Sequence, residues 1–191
     1  MISLMNAIAI VRPDDTWGAQ FEKTAEVIRR ILGDTALRVD HIGSTSVPGL
    51  AAKDILDIQA TVATEPELDD AVERLTTADW EIRPARRDHP VPGLPTDEIQ
   101  WVKRLVVEPM YRRRVNLHLR VDGRANQRYA LLFRDYLRAH PDTAAAYGEF
   151  KRRAAALKFD TVNDYADLKD PVCDLIYLPA EEWAGRTGWA V

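Results

Sequence analysis

Cysteine is nearly absent from this chain of 191 residues, with Cys173 the only one. A single thiol excludes an internal disulfide and any metal site built from clustered cysteines. Long apolar runs are missing as well. No stretch approaches the roughly 18 consecutive apolar residues that a membrane-spanning helix needs, and no basic segment followed by an apolar core marks a secretory signal. The expected location is therefore the cytoplasm, without membrane attachment. There is no surplus of positive charge either: 26 basic residues stand against 30 acidic ones, for a net charge of -4. That balance argues against broad binding of nucleic acid. Internal repeats and low-complexity tracts are lacking, and no shift in composition marks a linker.

What is present suits a globular fold. Hydrophobic residues make up 46% of the chain, and the length suffices for a core that needs neither disulfides nor structural metal. The pattern predicts a single α/β (α+β) domain over residues 1–191. It has an α/β part over about 1–122 and a helical part over about 123–191, sharing one core.

The chemistry concentrates between His41 and Gln59. A short apolar strand, Leu37 to Ile42, leads into Gly43-Ser44-Thr45-Ser46-Val47-Pro48-Gly49, and a second strand runs from Ile55 to Val62. Gly43 lets the backbone turn sharply and present N–H groups, while Ser44, Thr45 and Ser46 add hydroxyls and Lys53 adds positive charge. Such a bend suits phosphate or carboxylate. Alternation along the second strand places Leu56, Ile58, Ala60 and Val62 on one face and Ile55, Asp57, Gln59 and Thr61 on the other. Asp57 thus projects beside the anion-binding bend, where a carboxylate and a phosphate call for a cation between them; Mg²⁺ is the expected one. His41, at the strand end, either hydrogen-bonds phosphate or fastens the loop backbone.

The run HIGSTSVPGLAAKDILDI resembles the signature of the GrpB family, related to a domain fused to some bacterial dephospho-coenzyme A kinases and to the nucleotidyltransferase-fold superfamily. Trp17, Phe21, Asn116-Leu117-His118, the segment Phe133 to Arg138, Tyr147, Lys151, Tyr165 and Lys169 extend the resemblance over nearly the whole chain. It implies a nucleotidyltransferase-like mixed sheet with flanking helices. In that superfamily a Gly-Ser pair is followed by Asp-x-Asp or Asp-x-Glu, which holds two metal ions. Gly43-Ser44 and Asp57 match, but Gln59 stands at the second acidic position. A neutral amide brings no charge to offset a second divalent cation. Asp54, where the family has proline, is expected to face solvent.

Elsewhere, Ala7 to Val11 reads as an edge strand or lead-in. A helix follows from an Asp15 or Thr16 N-cap to Gly33, with Trp17, Phe21, Thr24, Ala25, Ile28, Ile31 and Leu32 on its buried face. A second helix spans Pro66 to Ala78, and Trp80 to Arg83 forms a short strand. Pro84 to Asp97, with four prolines and one glycine, must be a loop, read either as a binding segment or as disorder. Ile99 to Val107 and Arg113 to Val121 make a hairpin around 108–112. On its second strand Val115, Leu117, Leu119 and Val121 alternate with Arg114, Asn116, His118 and Arg120, a polar face that meets solvent or, given the resemblance, the site opposite Asp57. There His118 would act as metal ligand, phosphate donor or acid-base group. Arg83, Arg86, Arg87, Lys103, Arg104, Arg112, Arg113 and Arg114 either converge on a cleft or form a solvated surface.

The last third reads as three helices: Asn126 to His140, Pro141 to about Leu157, and Asn163 to Leu178. Arg134, and less so Lys151 and Lys169, either reach over the cleft or form ordinary surface salt bridges. Trp183 and Trp189 indicate that the tail docks, on its own chain or on a second copy, which leaves homo-oligomers open. Two functions follow from these expectations. One is nucleotidyl transfer with Mg²⁺, in which Gly43, Ser44, Thr45, Ser46 and Lys53 hold phosphates, Asp57 binds metal, and Asn116, His118 or Arg134 meet nucleotide or acceptor. The other is non-catalytic binding of a nucleotide or other phosphorylated small molecule, or an accessory domain.

Overall fold

The computed structural model describes residues 8–84, 87–108, 113–157, 159 and 162–191, with the backbone only at 162 and 163. Apolar residues at helical spacing build the first helix, α1 (Trp17–Leu32), whose buried face is Trp17, Phe21, Ala25, Ile28 and Leu32. Its N-cap is Thr16, one of the two expected caps, without a capping bond from its own side chain. Asp14, upstream of the expected caps, accepts the Thr16 backbone N–H at 2.8 Å and the Thr16 hydroxyl at 2.6 Å. At the other end Gly33 adopts φ 55°, a conformation open mainly to glycine, and the helix stops there.

Two strands follow, β1 (Arg38–Ile42) and β2 (Leu56–Val62), paired antiparallel with Ile42 opposite Asp57. Upstream, Val11 makes one antiparallel bridge with Ala52, and Ala7 lies outside the described residues. Helix α2 (Glu65–Thr77) opens on acidic residues that suit its positive end, and Glu67 accepts the Thr64 backbone N–H at 2.9 Å. Then come β3 (Glu81–Arg83), β4 (Arg104–Val107) and β5 (Val115–Val121). The expected strand from Ile99 begins only at Arg104. Residues Glu98–Trp101 form a 3₁₀ turn because the Trp101 indole turns inward, is buried, and donates to the Pro95 carbonyl at 2.7 Å. The tip of the expected hairpin, 109–112, lies outside the described residues.

The sheet is mixed, in the order β1-β2-β5-β4-β3, with β2 and β5 parallel and the other pairs antiparallel. Its alternation is as the sequence predicts. Leu56, Ile58, Ala60, Val62 and their β5 counterparts face α1 and α2 in one hydrophobic cluster, each large side chain contributing roughly 1.5–3 kcal/mol by leaving water. The opposite face is polar and turns toward α3 (Ala125–Ala139), α4 (Pro141–Ala155) and α5 (Val162–Thr187), which enclose a second cluster around Leu132, Tyr147 and Tyr177. Burial therefore falls into two clusters with the sheet's polar face between them, in place of one shared core. That interlayer is where a site can form.

Helix α5 also runs past the expected end at Leu178, through Pro179 to Thr187. Proline removes one N–H, whose acceptor would be the Leu175 carbonyl, and Leu175 is 70% exposed, so solvent reaches that turn. The tail docks on its own chain. Trp183 packs edge-on against Tyr136, and Trp189 donates to Asp135 at 3.1 Å. No helix among the described residues is long and apolar enough to cross a membrane.

Candidate functional site

Two cavities open between the polar sheet face and the helical layer. The first, of about 250 Å³, is walled by Tyr129, Phe133 and Tyr147 on the helical side and by Asp88, His118 and Arg120 on the other. The second, of about 170 Å³, gathers Lys53, Lys151 and Lys169 with Tyr165 and Asn116. Ser44, Asp57 and Lys169 line both.

The bend carrying Ser44 is built by local hydrogen bonds and by α3. Gly43 has φ 67°, and a Cβ on it would lie 2.5 Å from Asp57 Oδ2, so only glycine lets the carboxylate approach the loop this closely. Ser46 Oγ donates to the Gly43 carbonyl at 2.6 Å. Thr45 Oγ1 lies 2.9 Å from His41 Nε2, and the imidazole stacks on Phe21 with centroids 4.7 Å apart. Two arginines one helical turn apart grip the ends of the bend: Arg134 donates to the His41 carbonyl at 3.1 Å, and Arg138 to the Ser46 carbonyl at 3.0 and 2.8 Å. Ser46 and Arg134 thus make loop-building contacts where ligand-facing ones were expected, His41 takes the loop-fastening one of its two expected roles, and none of the three lines either cavity. Thr45 lines the second cavity while its hydroxyl is engaged with His41.

Asp57 sits on β2 beside Asn116 of β5, which donates to Oδ1 at 2.9 Å, and His118 Nε2 lies 3.8 Å from the same oxygen. Burial pushes the Asp57 carboxyl up, but His118, Asn116 and the Lys169 ammonium outweigh it, and the group stays below the ordinary carboxylate range. Burial lowers His118, and the Arg120 and Lys103 charges reinforce that against the pull of Asp57, so the imidazole favours its neutral form.

Lys151 and Lys169, which the sequence weighs more heavily as surface lysines, both line the second cavity. Lys151 is buried in α4, with its ammonium 2.7 Å from Ser44 Oγ and 4.6 Å from the Tyr147 ring centroid. Burial and repulsion from Lys169 lower its pKa to about 7. Lys53, 4.2 Å over the Tyr165 ring, is lowered by burial and by Lys169. Lys169 goes the other way: burial disfavours its charge, but Cys173, Asp57, Tyr165 and Asp170 around it raise it. Their common family pattern with Tyr147 and Tyr165 was the available signal.

Among the described residues, the basic side chains of the middle third do not converge. Arg83 pairs with Glu81, Arg87 with Glu98, Arg104 with Asp69 and Arg113 with Asp54; Arg114 is exposed, and Arg86 and Arg112 lie outside the described residues. Lys103 alone among them reaches the cavity wall, through its ion pair with Asp88. Asp54 also accepts the Trp17 indole N–H at 2.9 Å, so it anchors α1 to the loop instead of simply facing water. The described part of the 84–97 loop is mostly exposed and is pinned at a few points. Val91 is buried, and His89 reaches across to Asp174 on α5 with Nε2 at 2.9 Å.

Gln59 settles into a different network. It is fully buried, its Oε1 accepts from Arg120 at 2.7 Å, and its Nε2 donates to the Gln127 carbonyl at 3.2 Å. Among the described residues no group of three His, Cys, Asp or Glu side chains closes around an ion. The donors that exist, Asp57 with the Ser44 hydroxyl nearby, fit one hard cation completed by water and phosphate oxygens, as Mg²⁺ is commonly held. They do not fit two.

Known proteins resemble this chain in sequence and fold to different depths. The chain is 36% identical to the dephospho-CoA kinase of Mycolicibacterium paratuberculosis over 195 residues, covering 95% of the chain and 48% of that kinase. It spans about half the length of this and the similar mycobacterial kinases. A UPF0157 protein of Halalkalibacterium halodurans is 33% identical over 170 residues, covering 87% of the chain and 78% of that protein. The crystal structure of the conserved protein GrpB from Enterococcus faecalis superposes with a TM-score of 0.72 at 27% identity, covering 92% of this chain and 99% of that one. A Cid1 poly(U) polymerase structure bound to MgATP superposes with a TM-score of 0.50 at 12% identity over 74% of this chain and 42% of that one, a likeness of fold alone. The fold is thus nucleotidyltransferase-like, and the model of the GrpB protein family matches residues 7–178. From its bend, its sheet and these relatives, the chain belongs to the GrpB family.

Proposed function

We propose that this protein binds a phosphorylated small molecule, of which a nucleotide is the class the fold favours, with the phosphates in the lysine-lined cavity. One observation carries this reading. Three lysines, one of them bonded to Ser44, line a cavity whose lining contains a single carboxylate, Asp57. Buried cations of like sign repel and lose hydration, and an anion that entered would relieve both costs. Ser44 Oγ and the bend at Gly43 would hold phosphate oxygens, and Lys53, Lys151 and Lys169 would neutralise them. Asp57 would hold one Mg²⁺ against the phosphates, an ion whose contribution is to screen their charge and fix their orientation. Asn116 keeps the carboxylate aimed and the neutral His118 lies at its side.

Binding is supported further than transfer. Nucleotidyl transfer by two ions would need a second acidic donor, and Gln59 is committed to Arg120 and Gln127. The kinship with dephospho-CoA kinases adds coenzyme A precursors to the ligands to be tried. The test is a thermal shift series with inorganic tripolyphosphate, nucleoside triphosphates and dephospho-coenzyme A, each with and without Mg²⁺. Stabilisation should grow with the logarithm of ligand concentration and disappear in Lys151→Met. A melting temperature unmoved by every phosphorylated compound would refute the reading.

A further inference from the structure

The first cavity, across the wall of Ser44, Asp57 and Lys169 that it shares with the second, contains a further charge arrangement. Arg120 is 5% exposed, and three of its N–H groups are engaged: one by Gln59 Oε1 at 2.7 Å and two by Asp88 Oδ2 at 3.1 and 3.0 Å. The other Asp88 oxygen takes the Lys103 ammonium, and Asn126 donates to Asp88 Oδ2 at 3.2 Å. Two cations therefore share one carboxylate; with Lys103 protonated, as its pairing with Asp88 favours against burial and Arg120, these three groups carry one excess positive charge. Burial opposes the Asp88 charge, but Arg120 and Lys103 hold its carboxyl far below the usual range, so Asp88 does not neutralise itself by taking a proton. Arg120 and Asp88 both line the first cavity together with Asp57.

Gln59 is what leaves the charge in excess. Its position is two residues beyond Asp57 on the same strand face, where a second metal-holding carboxylate would stand. An acidic side chain at 59 would pair with Arg120 and bring the cluster to neutrality. The amide accepts the same hydrogen bond through its oxygen and leaves the positive charge uncancelled. We infer that Arg120, seated between Gln59 and Asp88, is a fixed cation that takes the place of a second metal ion beside Asp57 and meets the anionic group of the ligand there. This rests on the phosphate-binding reading above. Its consequence is a site that works with one divalent ion at most, and in which Arg120 determines that requirement.

Counting bound Mn²⁺ by electron paramagnetic resonance tests the inference without any reaction. Wild type should bind no more than one ion per chain. Gln59→Asp should bind no more than wild type, because the new carboxylate is taken by Arg120. Gln59→Asp combined with Arg120→Gln should bind one ion more. A second ion in Gln59→Asp alone, or no gain in the folded double variant, would overturn the inference. A metal-free arm covers a double variant that fails to fold. In EDTA, Arg120→Lys should retain the thermal response to tripolyphosphate, and Arg120→Met should shift its midpoint concentration upward about tenfold, the equivalent of one charged hydrogen bond. Equal responses in the two variants would count against a charge role. Wild type that ignores tripolyphosphate altogether would defeat the phosphate reading and this one with it, whereas the metal counts in Gln59→Asp bear on Arg120 alone.

Discussion

Lys151 Nζ donates a hydrogen bond of 2.7 Å to Ser44 Oγ, joining α4 to the bend after β1 across 107 residues of sequence. The contact ties the helical layer to the sheet at the point where both cavities meet. Because burial and Lys169 hold Lys151 near a pKa of about 7, its charge is available to an anion mainly at and below neutral pH.

A proton should therefore accompany phosphate binding. Affinity for tripolyphosphate should fall as pH rises through about 7, and calorimetry in buffers of different ionisation enthalpy should register proton uptake near pH 8. The folding linkage has the opposite sense. The folded chain holds fewer protons than the unfolded one between about 7 and 10.5, so this group makes stability rise with pH across that window. In Lys151→Met the rise should flatten, as read by urea denaturation at pH 7 and 9.5.

His41 should make the fold acid-sensitive. Buried against Phe21 and close to Arg138, its imidazole is lowered to about 4 from an ordinary 6.5. Unfolded chain binds the proton first as pH falls, so stability is lost from about 6.5 down to about 4, by up to about 3 kcal/mol at ~1.36 kcal/mol per unit. His41→Gln should start out less stable at pH 7 through loss of the stack. Its further loss between pH 7 and 4.5 should be smaller than that of wild type.

Asp54 separates stability from binding. Its carboxylate accepts from the Trp17 indole and from Arg113 at 2.6 Å, outside both cavities. Asp54→Ala should lower the unfolding free energy by about 1–3 kcal/mol and leave the tripolyphosphate midpoint unchanged. A matching loss of ligand response would place Asp54 in the site.

Gly43→Ala should do both kinds of damage. The added carbon would sit 2.5 Å from Asp57 Oδ2 on a backbone at φ 67°, a conformation that costs an L-residue about 1–3 kcal/mol. Either the bend or the carboxylate must move. The expected outcome is a lower melting temperature together with loss of any Mg²⁺-dependent part of the ligand response.

The strands of the site were legible in the letters because β residues alternate. Leu56 to Val62 and Val115 to Val121 each assign their own faces, and that is enough to set Asp57 and Asn116 on one side. The Gly43 turn was legible for a related reason, since glycine before three hydroxyls has few other uses. What could not be read locally depends on how separate elements meet. Lys151 and Lys169 are cationic positions on helices, indistinguishable from surface lysines until α4 and α5 are laid over the sheet. Asp88 sits in a proline-rich segment with no periodicity, so nothing announced that it would find Arg120 and Lys103. Arg134 misled in the opposite direction. Its family position pointed toward the cleft, and its guanidinium holds the His41 carbonyl behind it.

Because Ser44, Asp57 and Lys169 form a wall common to the two compartments, a guest in one compartment alters the field felt by a guest in the other. Occupancies that share residues in this way are thermodynamically coupled, and the coupling is reciprocal. An anion beside Lys151 would make the neighbouring chamber less welcoming to a second, separate anion, while a single ligand reaching across the partition could still set an anionic group against Arg120.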